Sequence, residues 1–187
     1  ETGPNDVYIA NNLGATYLAE GKYKKALSIF LTGLQTNPNS IALRVNLGNI
    51  YLANNQLKLA EKEFNFSLRL AKALDVESAN AYIGMANLLL KYNRQDDAYA
   101  YFAKALNREP DNIDARNGIA GIYFAQKDLL GALKILEEII DSEDLFDTAK
   151  RKDQIAILFN AANLSKQLGK PYTAREYLQW LLSIDPE

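Results

Sequence analysis

Eight asparagines recur along the chain, at Asn11 and Asn12, Asn46 and Asn49, Asn87, Asn117, and Asn160 and Asn163. A side-chain amide presents a donor and an acceptor together. A row of them can pair with the N–H and C=O groups of an extended polypeptide, whatever its side chains. Asparagine is a poor interior helix residue, because its side chain competes for backbone hydrogen bonds. A row within helices therefore calls for a reason. Covalent chemistry has little to work with, since histidine and cysteine are absent. That removes imidazole bases, thiolate nucleophiles, disulfides and the usual zinc ligands. Carboxylate pairs such as Asp96-Asp97 fall on expected turns with no cleft in view, and the ten glycines form no phosphate loop. The expectation is no enzyme activity, no metal and no cofactor.

Charge points away from nucleic acid. Lysine plus arginine total 21 against 23 acidic residues, a net charge of −2, whereas a general nucleic-acid binder needs clustered positive excess. No apolar run reaches the roughly 20 residues a bilayer crossing needs, so no direct membrane insertion is expected. The opening Glu1-Thr2-Gly3 reads as a remnant of a secretion vector, residues 1–6 as a tail, and the chain as a fragment of a longer protein. The Asn-x-Ser triplets at Asn65 and Asn163 fall inside expected helices and read as chance matches. Compartment is not legible.

The positioning elements follow from a period of 34 residues: "LGATYLAEGKYKKA" from Leu13 returns as "LGNIYLANNQLKLA" from Leu47. Five blocks fit, at 7–40, 41–74, 79–112, 113–146 and 155–187. Each carries a small residue eight places in (Gly14, Gly48, Ala86, Ala120, Ala162) and an alanine at place 20 (Ala26, Ala60, Ala98, Ala132, Ala174). Large apolar residues follow at Phe30, Phe64, Phe102, Leu136 and Leu178, at helical spacing. Gly21, Asn54-Asn55, Asn93 and Gly169 sit where a helix should stop. Two antiparallel helices per block result, and the small residues let them approach closely. Pro38 and Pro110 end second helices. Longer helices or a longer loop are expected near Asp75–Ser78 and Asp147–Gln154, where extra residues separate the blocks.

These residues resemble the tetratricopeptide repeat family over nearly the whole chain after Pro4. The resemblance implies an all-α fold: a single right-handed α-solenoid of helix pairs over residues 7–187, with each first helix lining a concave groove. Places 2, 5, 6, 9, 12 and 13 of each block then face inward. They include the eight asparagines, with Gly121 and Gln167 among the rest. Tyr8 lies on that inner face, and Leu18, Leu52, Leu90, Phe124 and Phe159 would supply apolar pockets. The row resembles the asparagine ladder of the tetratricopeptide superhelix in O-linked N-acetylglucosamine transferases, implied to grip backbone amides of bound segments. The departures are Ala10 and Arg44 where the family has a large aromatic, and Lys72 and Asp144 where it has proline.

The expected function is a non-enzymatic adaptor or scaffold holding an extended peptide of a protein partner. Two alternatives stay open. One is an assembly scaffold of a cell envelope, pilus or secretion system, working through the convex face or the array ends. The other is the substrate-recruiting arm of a larger protein-modifying enzyme. Asparagines that merely bond neighbouring helices are the competing account of the row, since the chain holds 18 in all. The family's two-carboxylate clamp for acidic chaperone tails is not expected, because only one of its places matches in each of the two block registers tried: Asn46 from block one, Asn49 from block two. No polar capping helix follows block five, so Trp180, Leu181 and Leu182 are expected to be partly open and available for self-association. The acidic run "EEIIDSEDLFD" reads as a solvated helix end, and Tyr99 and Tyr101 as outer surface beside a core Phe102.

Overall fold

The computed structural model describes residues 4–142, 149 and 151–185, with side chains from residue 7 onward. Residues 143–147 of the acidic run, among them Asp144 and Phe146, lie outside the described residues, as do Pro186 and the Glu1–Gly3 tail. The described residues form ten helices and no strand. They are α1 (Pro4–Ala19), α2 (Tyr23–Thr36), α3 (Ile41–Ala53), α4 (Leu57–Ala73), α5 (Ala79–Lys91), α6 (Gln95–Arg108), α7 (Ile113–Ala125), α8 (Leu129–Ile140), α9 (Arg151–Gln167) and α10 (Pro171–Ile184). Each odd-numbered helix packs on the next as an antiparallel pair. The fold is an all-α solenoid of helix pairs.

One local device builds all five pairs. The turn residue adopts positive φ at Gly21 (71°), Asn55 (58°), Asn93 (57°), Lys127 (65°) and Gly169 (72°). The next residue's N–H then reaches back to a carbonyl five residues earlier, as in Lys22 to Tyr17 (2.8 Å) and Lys170 to Ser165 (2.8 Å). This is the Schellman closure, which satisfies carbonyls a helix end would orphan. Four of the five turns use glycine or asparagine, the residues that tolerate this conformation. Lys127 uses it without that tolerance. First helices are capped by side chains: Ser40 accepts from Leu43 N–H at 3.3 Å, Ser78 from Ala81 at 3.3 Å, and Asn112 from Ala115 at 3.0 Å.

Two compact units divide the chain, Glu1–Arg108 and Glu109–Glu187. In the first, Phe30 and Phe64 are fully buried. The Phe64 ring lies between Gly48 of α3 and Gly84 of α5, where an added Cβ on Gly48 would come within 2.6 Å of it. Gly14 meets Phe30 in the same way. Absent side chains on the first helices thus make room for the large ring of the second. In the second unit Leu133, Leu136, Ile139, Ile157 and Leu158 close the core, with Leu181 and Ile184 of α10 packed against it.

The extra residues between blocks take both of the expected forms, a longer loop and a longer helix. Helix α4 runs to Ala73, and a loop carries the extra residues to Ser78. Helix α9 begins at Arg151, before the Ile155 expected from the period. Phe102 is buried, Tyr99 is exposed, and Tyr101 is half-buried beside Tyr82.

Candidate functional site

The predicted binding residues fall into two groups, one in each unit. In the first unit α1 packs on α3 and α3 on α5, which brings Asn11, Asn46, Asn49 and Asn87 onto neighbouring first helices. Asn46 Nδ2 donates to Asn11 Oδ1 at 2.8 Å, across two repeats. These two amides spend part of their capacity on each other, as the competing account of the row requires of them. Asn49 and Asn87 are half-buried, with no side-chain hydrogen bond among the described residues, and Asn12 is exposed. Leu18, Leu52 and Leu90 are half-buried, while Tyr8 is largely exposed.

In the second unit α7 and α9 leave a cavity of about 420 Å³ between them. Asn117, Gly121 and Phe124 of α7 line it, with Asn160, Asn163 and Gln167 of α9. Ala120, Leu136 and Leu164, all buried, form its apolar floor. Three predicted asparagines and one predicted aromatic therefore meet at one place. Phe159 is exposed on α9 outside that lining. The side chains of Asn117, Asn160 and Asn163 make no hydrogen bond among the described residues, so their donors and acceptors are open to a ligand. The lining holds no titratable group.

The floor residues Leu136 and Leu164 were not legible as site residues. Both belong to the apolar core pattern, and only the separation of α7 from α9 exposes their edge. A second, wider cleft of about 650 Å³ lies at the turn edge of the first unit, beside Lys22, Lys24, Lys25, Asn54 and Gln56. Its lysines are partly engaged. Lys22 pairs with Glu20 at 2.7 Å, which raises the lysine's pKa, and Lys25 lies 5.5 Å above the Tyr17 ring. No group of three or more metal-ligating side chains occurs among the described residues, and none of their helices is long and apolar enough to cross a membrane.

A tetratricopeptide repeat profile matches residues 17–65 and 89–149, more than half of the chain. The chain belongs to the tetratricopeptide repeat family. Solved structures with the same fold include Pseudomonas aeruginosa pilF, at 18% identity and a TM-score of 0.74, covering 96% of this chain and 76% of that one. A Thermus thermophilus protein, described as a thermophilic TPR protein, superposes with a TM-score of 0.78 at 17% identity, covering 97% and 92%. YrrB, described as a TPR protein with an unusual peptide-binding site, gives 0.57 at 17% identity, covering 95% and 86%. At such identities the likeness concerns the fold alone. No curated protein sequence matches the chain.

Proposed function

We propose that this chain is a non-catalytic scaffold that holds an extended segment of a partner protein against the asparagine-bearing first helices of its repeats. Tetratricopeptide repeats are in general protein–protein interaction modules, which supplies the class. The observation that carries the finer reading is the cavity of the second unit. Its three asparagines present unspent amide groups beside an apolar floor, and a polypeptide backbone with an uncharged side chain complements both. Tyr8, Asn49 and Asn87 offer similar open groups in the first unit.

The test replaces amides that bond nothing else in the protein. In Asn117→Ala/Asn160→Ala/Asn163→Ala each alanine is the better helix former, by up to about 0.7 kcal/mol, so the variant should unfold no earlier than the parent. Peptides selected from a random displayed 12-residue library on the parent chain should lose binding to the variant. Unchanged binding, or a variant that melts well below the parent, would sink the reading. Asn46→Ala serves as a contrast: the bond to Asn11 that it breaks is worth about 1 kcal/mol, which offsets the helix gain, so this variant should not be stabilised.

A second reading concerns α10, where Trp180 and Leu182 are exposed and Leu181 is half-buried against the core. Contact with a further repeat or a second copy would cover that face. Leu182→Glu, compared with the parent by sedimentation across a concentration series, tests it. A parent that stays monomeric throughout excludes self-association.

A further inference from the structure

We propose that the cavity between α7 and α9 takes one uncharged aromatic side chain of the bound segment, and that Gly121 is the residue that keeps room for it. The proposal rests on the scaffold reading above and adds a specificity to it. Gly14, Gly48 and Gly84 of the first unit's first helices each face a phenylalanine ring that an added Cβ would strike. Their lack of a side chain is explained by packing. Gly121 has nothing within 4 Å of where its Cβ would stand. A glycine inside a helix sacrifices stability relative to alanine, and nothing within this unit requires one at 121. The same place of other repeats holds Asn49, Asn87 and Asn163. An asparagine at 121 would project into the cavity.

The remaining lining defines the occupant. An apolar cavity of about 150 Å³ holds a benzene ring, so 420 Å³ admits an aromatic side chain together with flanking peptide groups. Phe124, one turn beyond Gly121 and half-exposed, offers a ring face for offset or edge contact. Leu136 and Leu164 supply the apolar floor. The asparagines and Gln167 provide neutral donors and acceptors for the flanking backbone. A lysine or glutamate side chain finds no counter-charge in the lining and gives up part of its hydration there, which disfavours it against a neutral ring.

The experiment uses the full chain labelled with nitrogen-15 and four small probes: acetyl-phenylalanine N-methylamide, its lysine and glutamate counterparts, and methyl glucoside. The readout is the Gly121 backbone signal and the side-chain amide signals of Asn160 and Asn163. The phenylalanine probe should shift these signals saturably, and the other three should not. Gly121→Asn should weaken the phenylalanine probe about tenfold or more while leaving the rest of the spectrum in place. Phe124→Ala should weaken it with the cavity still open. The proposal falls if the phenylalanine probe leaves these signals unmoved, if the charged probes bind equally, or if the glucoside alone binds. Peptides that depend on Asn117, Asn160 and Asn163, yet show no aromatic preference and no response to Gly121→Asn, overturn the aromatic pocket and leave the scaffold reading standing.

Discussion

Arg44 reaches back to Pro38: its Nε and Nη2 donate to the proline carbonyl at 2.9 and 2.7 Å. Arg116 does the same to Pro110 through Nε, at 3.0 Å. Each arginine stands six residues after its proline, at the place where the family usually has an aromatic. The two blocks that follow such a proline carry arginine there, whereas the third and fifth carry Tyr82 and Leu158. The apparent departure at Arg44 is thus one half of a pair. Proline ends the helix, and the arginine occupies the carbonyl left at the bend.

Arg44 does more than its counterpart. Nη1 pairs with Glu63 at 2.9 Å, both side chains are mostly buried, and the guanidinium lies 3.8 Å above the Phe66 ring. Arg44→Ala leaves the Glu63 carboxylate buried and unpaired, at a cost of about 3 kcal/mol. Arg116→Ala loses an exposed contact to Asp111 and should cost below about 1 kcal/mol for that pair. Urea unfolding of both variants measures the difference, and equal losses would contradict it.

Gly48→Ala and Gly121→Ala should change stability in opposite directions. At Gly48 the methyl meets a Phe64 ring that Gly84 pins from the other side. Overpacking of this kind costs roughly 1–3 kcal/mol and outweighs the helix-propensity gain. At Gly121 the methyl meets open space, and the gain of up to about 1 kcal/mol stands alone. Thermal unfolding of the two variants gives the signs.

Lys127 holds positive φ at the turn between α7 and α8. Its glycine or asparagine counterparts stand there at lower conformational cost. Lys127→Gly should stabilise the chain by about 1 kcal/mol, read as a higher urea midpoint with an unchanged slope. A lower midpoint would show that the lysine side chain contributes something the backbone argument omits.

Tyr177 gives the alkaline limb. Burial first, then the Glu137 and Asp141 carboxylates, push its hydroxyl up to about 12. The unfolded tyrosine titrates near 10. The folded state therefore holds the proton more tightly, and the contribution is complete below about pH 10 and lost as pH rises toward 12. Tyr177→Phe should flatten the decline of stability across that window, as followed by circular dichroism. An unchanged slope would place the alkaline sensitivity elsewhere, with Tyr51 and Tyr92, also raised by burial, the next to replace.

The helix pairs were legible because their signals are local. Gly21, Asn55, Asn93 and Gly169 mark turns that any backbone must make with φ positive, and Ala26, Ala60, Ala98 and Ala132 mark contacts where a larger residue cannot fit. Lys127 hid the fourth turn, since nothing in a lysine announces that conformation. The start of α9 at Arg151 was legible only as one of two forms, because the extra residues before block five fit a longer helix or a longer loop equally. The asparagines were legible as a row and illegible as individuals. Asn46 faces Asn11, while Asn160 and Asn163 face a cavity, and that choice depends on the distance between helices. The same distance decides whether Leu136 is core or floor.

An uncharged cavity has a kinetic consequence. Its lining carries no charged side chain, so on the scaffold reading it adds no charge of its own to steer a partner's approach. Any dependence of that encounter on ionic strength would then come from charges outside the lining. Discrimination among the proposed segments would be exercised afterwards, in how long each one stays.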